Sequence, residues 1–326
     1  MRISIAMATY NGAKYLQEQL ESFATQTQLP DELIVCDDGS TDKTLKILEE
    51  FSKTASFQVR IYCNENRLGP TANFGRSMSL CSGDVVFLSD QDDYWLPNKI
   101  EFICAIFESN KNTWVVINDA EITDEKLNLT GLTILGQVYS ANLGTEHHIY
   151  GCCSAYRQTI IPVLLPIPAA THCHDGWLHL LGSSLLCRTV TMQCLQYYRR
   201  HGKNISTDIT GSASPASRFK LFKNILTAKN RRLDPIQACE KRLLELNIFC
   251  VRLEANLDFL TSNLPFPSAI EKTLSNIDFL IRANVVRRAI LLQRLPFRLP
   301  AALRFYCLGG YKSFEGLKSF AKDVLR

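Results

Sequence analysis

A mixed α/β fold with a mainly parallel sheet, helices on both faces and a C-terminal helical appendage is predicted by three observations. Short apolar runs alternate with amphipathic stretches through the first hundred residues, the pattern of βαβ units. Acidic clusters directly follow two of the runs: Asp37-Asp38 after Leu33-Ile34-Val35-Cys36, and Asp90-Gln91-Asp92-Asp93 after Val85-Val86-Phe87-Leu88-Ser89. From Phe219 on, the apolar spacing becomes helical and Pro265, Pro267, Pro296 and Pro300 punctuate it.

The elements follow in order. Ile3-Ser4-Ile5-Ala6-Met7-Ala8 reads as the first strand, turned by Asn11-Gly12. Leu16, Leu20, Phe23 and Ala24 recur at helical spacing until Leu29-Pro30-Asp31 breaks the run. The second strand is Leu33-Ile34-Val35-Cys36. Ser40 or Thr41 can cap the next helix, whose inner stripe is Leu45, Leu48 and Phe51. Val59-Arg60-Ile61-Tyr62 is the third strand, and a helix from about Thr71 to Leu80 leads to the fourth, at 85–89. Tyr94-Trp95-Leu96-Pro97 comes next, with Pro97 suited to the first turn of a further helix.

Parallel strands bring their C-terminal ends to one edge, where open α/β sheets bind ligands. Three carboxylates within four residues repel one another unless a cation sits among them. Mg²⁺ and Mn²⁺ take oxygen ligands and are completed by phosphate oxygens. The Asp90-Gln91-Asp92-Asp93 cluster therefore points to a metal–diphosphate site, and Asp37-Asp38 to the nucleoside. A bare Asp-x-Asp arises about once by chance in a chain this long; Asp-x-Asp-Asp at a strand end is far rarer. Asp37-Asp38-Gly39-Ser40 by itself reads equally well as a turn with a helix cap.

Three ordered motifs cover residues 1 to about 110: Ala8-Thr9-Tyr10-Asn11-Gly12, Asp37-Asp38-Gly39-Ser40-Thr41-Asp42 and Leu88-Ser89-Asp90-Gln91-Asp92-Asp93-Tyr94-Trp95-Leu96-Pro97. Two more, His174-Asp175-Gly176-Trp177 and Tyr198-Arg199-Arg200-His201-Gly202-Lys203-Asn204-Ile205-Ser206, extend the pattern to residue 206. Together they resemble a family 2 glycosyltransferase of the GT-A fold, nearest to the bacterial rhamnosyltransferase-like branch that builds surface polysaccharide. The resemblance implies that Ala8 and Asp38 contact the nucleobase, with Tyr10 and Asn73 beside the nucleotide. It implies that Asp90 and Asp92 are the diphosphate- and metal-binding pair of the Asp-x-Asp motif, with Asp37 and Asp93 adjoining. Asp175 falls at the family's catalytic base, and Trp177 either fills core or flanks the acceptor. His201 matches a late residue touching metal or diphosphate. The chain departs where Gly176 replaces a usual aromatic residue and Ala72 a frequent Lys. The implied reaction is inverting transfer from a UDP- or dTDP-sugar, dTDP-rhamnose among them, to a glycan or polyprenyl-linked saccharide, with Mg²⁺ or Mn²⁺ as cofactor. A nucleotidyltransferase and a non-catalytic scaffold are the alternatives. The first normally carries a Gly- and Arg-rich loop where this chain has Thr9-Tyr10-Asn11-Gly12-Ala13-Lys14, and the second fits poorly with so many acidic residues in place.

Length bounds the layout: 326 residues suffice for one large α/β domain plus an appendage. The expected boundaries are a catalytic domain at 1–206, a linker at 207–218 rich in Ser, Thr, Gly, Ala and Pro, and a helical region at 219–326. Twelve cysteines without a Cys-x-x-Cys repeat, and Cys152-Cys153 with His172 and His174 at no usual zinc spacing, suggest reduced cytosolic thiols. Met1-Arg2-Ile3-Ser4-Ile5 reads as a strand start rather than a signal sequence. No apolar run approaches the ~20 residues that span a bilayer. Residues 281–326 hold ten Lys or Arg against two acids, a net of +8; with +4 for the whole chain, residues 1–280 carry −4. Apolar and basic residues interleave there, from Val285-Val286-Arg287-Arg288 through Arg294, Phe297 and Arg304. That pattern suits peripheral attachment to the anionic inner face of a membrane. It lacks a nucleic-acid-binding motif.

Overall fold

The computed structural model describes residues 1–169, 171, 173–202, 204, 210–215, 234–264, 266–314 and 316–324. It comprises two units, Met1–Leu226 and Thr227–Arg326. His172, Lys203, Ile205, Ser206, Leu221, Ile225, 207–209 and 216–218 lie outside the described residues.

In the first unit, β1 (Ile3–Thr9), α1 (Leu16–Ala24), β2 (Glu32–Asp37), α2 (Thr44–Ser52), β3 (Gln58–Cys63), α3 (Pro70–Ser79) and β4 (Val85–Ser89) alternate as expected. Then come β5 (Tyr94–Trp95), α4 (Lys99–Ser109), β6 (Val115–Thr123), β7 (Leu129–Thr133), α5 (Ile134–Ser140), β8 (Ser154–Arg157), α6 (Ile161–Leu164), α7 (His174–Ser184) and β9 (Arg188–Arg199). Among the described residues they form a nine-stranded sheet in the order β3-β2-β1-β4-β8-β6-β9-β5, with β7 beside β6. β1 to β4 pair in parallel, as do β6 and β9; β8, β7 and β5 run antiparallel to their neighbours. The fully apolar β4 run is the mark of a strand covered on both faces, and all five of its residues are buried. The core beneath it gathers Ile5, Phe23, Val35, Phe87, Trp95 and Phe107. Each such side chain contributes about 1.5–3 kcal/mol on burial.

Several local expectations change. The N-cap position of α2 is Lys43, which offers no side-chain cap; Asp42, one residue earlier, accepts the Thr44 N–H at 2.9 Å. Ser40 turns its hydroxyl back to Asp37 instead, at 2.6 Å, because Gly39 at φ +83° reverses the chain there. Pro97 precedes α4 rather than entering its first turn, since Tyr94-Trp95 are drawn into a strand pair with β9. Ala24, expected on the inner face of α1, is exposed.

Register places the acidic runs. Thr9 lies opposite Asp37, and Met7 opposite Ser89, so both clusters leave the same sheet edge. Thr123 at the end of β6 lies opposite Arg199 at the end of β9, at that edge too.

The second unit contains α8 (Pro235–Ala255), α9 (Leu257–Asn263), α10 (Ser268–Leu291), α11 (Leu295–Cys307) and α12 (Leu317–Val324). Leu246, Phe249 and Leu253 lie on the buried face of α8, whereas Val251 is 63% exposed. Ala283, Ile290, Ala302, Phe305 and Tyr311 make a small core. No helix among the described residues is long and apolar enough to cross a membrane.

The turn into β4 is tight. Gly83 donates its N–H to Ser4 Oγ at 2.8 Å, and a Cβ there would lie 2.6 Å from that oxygen and 2.9 Å from the Arg2 carbonyl. Gly83→Ala is therefore expected to cost about 1–3 kcal/mol, read as a lowered midpoint in thermal unfolding; an unchanged midpoint would show that the turn relaxes freely.

Candidate functional site

The cleft lies where β1, β2, β4 and β9 end. Asp90 follows β4 directly and is half-buried; Asp93, three residues on, is 1% exposed. The short β5 strand pairs Tyr94 with Tyr197 and Trp95 with Gln196, which carries Asp93 against β9. There Asp93 accepts the Arg199 backbone N–H at 3.1 Å and the Gln196 Nε2–H at 3.2 Å. Arg199, 1% exposed, reaches the motif through its main chain: its Nε donates to the Asp92 carbonyl at 2.8 Å. The same guanidinium donates to the Glu125 carbonyl and to the Glu18 carboxylate and lies 4.7 Å over the Tyr15 ring. Asp92 thereby keeps its carboxylate for the cleft, where Oδ2 lies 2.8 Å from His201 Nε2. His201 is stacked on Tyr15 at 4.7 Å, and Asn204 accepts its backbone N–H at 2.6 Å.

Gln91, between the two carboxylates, has a role that its own sequence position did not reveal. It accepts the Tyr10 N–H at 2.9 Å and donates to the Tyr10 carbonyl at 3.1 Å. Gly12 makes room for it, since a Cβ there would lie 2.2 Å from Gln91 Oε1. Ala8 and Tyr10 are thus held beside the acidic motif, and Arg67 lies 3.9 Å over the Tyr10 ring.

Asp175 sits in the first turn of α7, where the helix dipole favours a negative group. His174 Nε2 is 3.0 Å from Asp175 Oδ1, with the imidazole stacked on Phe74. Burial disfavours the His174 cation, yet the adjoining Asp175 raises its basicity overall. Gly151 leaves the space that Asp175 occupies: a Cβ there would come within 2.3 Å of Oδ1. Trp177, two residues on, is 5% exposed and donates its indole N–H to the Leu164 carbonyl at 2.8 Å, so it packs in the core.

Asp37 and Asp38 divide their work. Asp37 closes its own turn, accepting from the Thr9 hydroxyl and from the Gly39 and Ser40 N–H groups. Asp38 takes the Asn64 amide and the Leu68 and Gly69 N–H groups at 2.7–2.8 Å. Asn73 completes the arrangement: it accepts from Asn64 and donates to the Cys36 carbonyl. Asp38 and Asn73 therefore fix the 64–69 loop at the edge of the cleft.

The donor set suits a hard cation. Asp90, Asp93 and Cys152 offer ligand atoms that lie within 4.8 Å of one another. Burial, then Asp92, then Asp175 push the Asp90 carboxyl up to about 7. Burial, then Asp92, then Asp90 raise Asp93 well above its ordinary range. Crowded carboxylates that hold on to protons are sites that a divalent cation relieves. Carboxylate oxygens with an imidazole match Mg²⁺ or Mn²⁺. The turn before β8 brings Cys152 under the β4 edge; its hydrogen bond with Cys153 and its burial push the thiol well up, so it remains the neutral thiol that the sequence suggested, beside the carboxylates.

Three comparisons bear on the fold and family. Residues 4–164 match the family model described as glycosyl transferase family 2. An uncharacterized glycosyltransferase of Nostoc sp. is 26% identical over 217 residues, covering 63% of this chain and 66% of that protein. The dTDP-rhamnosyl transferase RfbG of Shigella flexneri is 37% identical over 109 residues, covering 32% of this chain and 38% of RfbG. The chain thus spans two thirds or less of these relatives. Among solved structures, S. aureus TarS 1-349 in complex with UDP-GlcNAc superposes with a TM-score of 0.54 at 17% identity, covering 96% of this chain and 89% of that one.

The raised Asp90 carboxyl makes a sign-definite expectation. The folded protein keeps a proton that an unfolded carboxyl, at its ordinary 3.8, has released, so this group's contribution to stability falls as pH rises from about 4 to about 7. A divalent ion competes with that proton. Thermal stabilisation by Mn²⁺ should therefore grow as pH rises through about 7, and Asp90→Asn should flatten the trend. Unfolding midpoints from pH 5 to 8, with and without Mn²⁺, measure it; a metal-induced shift independent of pH would place the ion elsewhere.

Proposed function

We propose that this chain, whose residues 4–164 are a glycosyl transferase family 2 domain on a GT-A fold, moves a sugar from a nucleoside diphosphate to an acceptor hydroxyl with inversion. The acceptor class is a glycan or polyprenyl-linked saccharide of bacterial surface polysaccharide. The observation that carries the reading is a lone carboxylate, Asp175, close enough to the acidic cluster to raise Asp90. Such transfer needs a base for the acceptor proton and positive charge at the leaving diphosphate. One base suffices for inversion, because attack and departure occupy opposite faces of the sugar; an inverting hydrolase would instead need water between two opposed carboxyls.

Asp175 takes the acceptor hydroxyl proton on a carboxylate oxygen, and His174 holds that carboxylate in place from 3.0 Å. Asp90, Asp92 and Asp93 with His201 are the residues that would hold Mg²⁺ or Mn²⁺; when bound, the ion neutralises charge on the leaving diphosphate. Ala8, Tyr10 and Asp38 line the nucleoside end, with Asn73 fixing the loop beside them. An acidic contact to a pyrimidine imide admits uracil and thymine alike. RfbG, named as a dTDP-rhamnosyl transferase, and TarS, solved with UDP-GlcNAc, support UDP- and dTDP-sugars as the donors to try first.

Asp175→Asn is expected to keep donor affinity and lower the transfer rate by at least ~10²-fold, because a neutral amide cannot take the proton. Release of nucleoside diphosphate from a panel of UDP- and dTDP-sugars reads it. A variant that retained most of the wild-type rate would remove Asp175 from the role.

We infer also that the second unit holds the enzyme peripherally at an anionic membrane surface, through α11. Leu295, Phe297, Leu299 and Leu303 are 50–68% exposed, with Arg294 and Arg304 among them. Aliphatic and aromatic side chains interleaved with arginines are the pattern of an interfacial helix. Two neighbouring arginines are engaged elsewhere: Arg287 forms a bidentate pair with Asp323 and lies over the Phe314 ring, and Arg288 pairs with Glu240. The full-length protein is expected to sediment with phosphatidylglycerol vesicles at low salt and to be released by high salt. Phe297→Glu with Leu303→Glu should abolish sedimentation while the thermal midpoint stays unchanged. Wild-type protein that ignores such vesicles would make α11 a plain solvent-facing helix.

A further inference from the structure

Lys99, at the start of α4, is fully buried. Its Nζ donates to the Cys152 carbonyl at 3.0 Å and to the Gln196 Oε1, and lies 4.0 Å over the Trp95 ring. All three partners are neutral. A buried ammonium without a carboxylate partner is costly, and chains keep one only where something compensates it. Burial lowers its basicity to about 8, and the neighbouring Cys153, Cys152, Asp93 and Asp90 pull it back up. The compensation is thus at one remove. Gln196 accepts from Lys99 with its amide oxygen and donates to Asp93 with its amide nitrogen. Cys152, whose carbonyl is the other acceptor, presents its sulfur beside Asp90 and Asp93.

We propose that Lys99 is a positioning residue of the acidic site: a fixed internal cation, relayed through Gln196 to Asp93, that keeps the carboxylate cluster assembled without its metal and weakens the grip on that metal. The second half rests on the metal reading above; the first does not. A cation built in behind the cluster lowers the negative potential that draws Mg²⁺ or Mn²⁺ in. It also offsets the repulsion among Asp90, Asp92 and Asp93 when no ion is present. Release of the nucleoside diphosphate with its ion is thereby kept from becoming too slow. Lys99 touches neither substrate nor metal, so its influence is carried by charge and by the orientation of the Gln196 amide.

Two measurements separate this role from plain packing. The first is a double-mutant cycle on metal-free protein at pH 7.5. Lys99→Met is expected to lower the thermal midpoint by roughly 5–10 °C, and the same change in an Asp93→Asn background by less than half of that. If Lys99→Met alone does not fold, recovery of folding in Lys99→Met/Asp93→Asn reads the same coupling. The second is calorimetric titration with Mn²⁺ alone. Lys99→Met should bind the ion roughly tenfold more tightly than wild type, whereas loss of packing alone would leave affinity unchanged or weaken it. Additive midpoint shifts together with unimproved Mn²⁺ affinity would overturn the proposal, as would a double variant that fails to fold. Wild-type protein that takes up no Mn²⁺ would overturn the metal reading, and the midpoint cycle would still decide the coupling of Lys99 to Asp93.

Discussion

Mutual repulsion among Asp90, Asp92 and Asp93 is the constraint around which the first unit is arranged. Consecutive carboxylates at a sheet edge would swing apart into water if left free. The fold prevents this largely by gripping the main chain of the motif or its neutral residue. Arg199 binds the Asp92 carbonyl, and Gln91 binds both backbone groups of Tyr10. The carboxylates of Asp90 and Asp92 are thereby left for the cleft. Asp93 is the exception, and its contacts to Gln196 and the Arg199 N–H make it the rivet between the motif and β9. Buried polar groups are well used when fully satisfied, and this set is satisfied across four separate segments of chain.

The strands and helices of the first hundred residues were legible because each is specified locally, by apolar runs, periodicity and turn residues. The short β5 was not: two residues show no alternation, and Tyr94-Trp95 are strand only because Tyr197 and Gln196 lie opposite. Positions of the acidic clusters could be read for the same reason as the strands, since a parallel sheet aligns its ends. Residue roles were harder. Asp37 and Asp38 are neighbours in sequence, yet one closes a turn and the other anchors the 64–69 loop. Gln91, Lys99, Gln196 and Arg199 matter through partners 53 to 181 residues away, and nothing near them in sequence announces it.

The second unit repeats the lesson with charge. The basic excess of residues 281–326 was plain from composition. Which arginines face solvent was not, because Arg287 is neutralised by Asp323, 36 residues on. Helical spacing identified apolar stripes, but α11 carries apolar side chains on much of its circumference. Only packing tells that Ala302 and Phe305 point inward while Leu295, Phe297 and Leu303 do not.

The pairing of Asp93 with Arg199 joins residues 106 apart. Closing a loop of that length is a late event when a chain folds, since local β-α units form before non-local pairings reward their entropy. During synthesis, β1 to β4 leave the ribosome well before β9 exists. Until then Asp93 lacks its Gln196 and Arg199 partners, and the motif is tied to the sheet edge through the pairing of Gln91 with Tyr10. The hydrogen bonds that tie Asp92 and Asp93 to β9 become possible only when that strand docks.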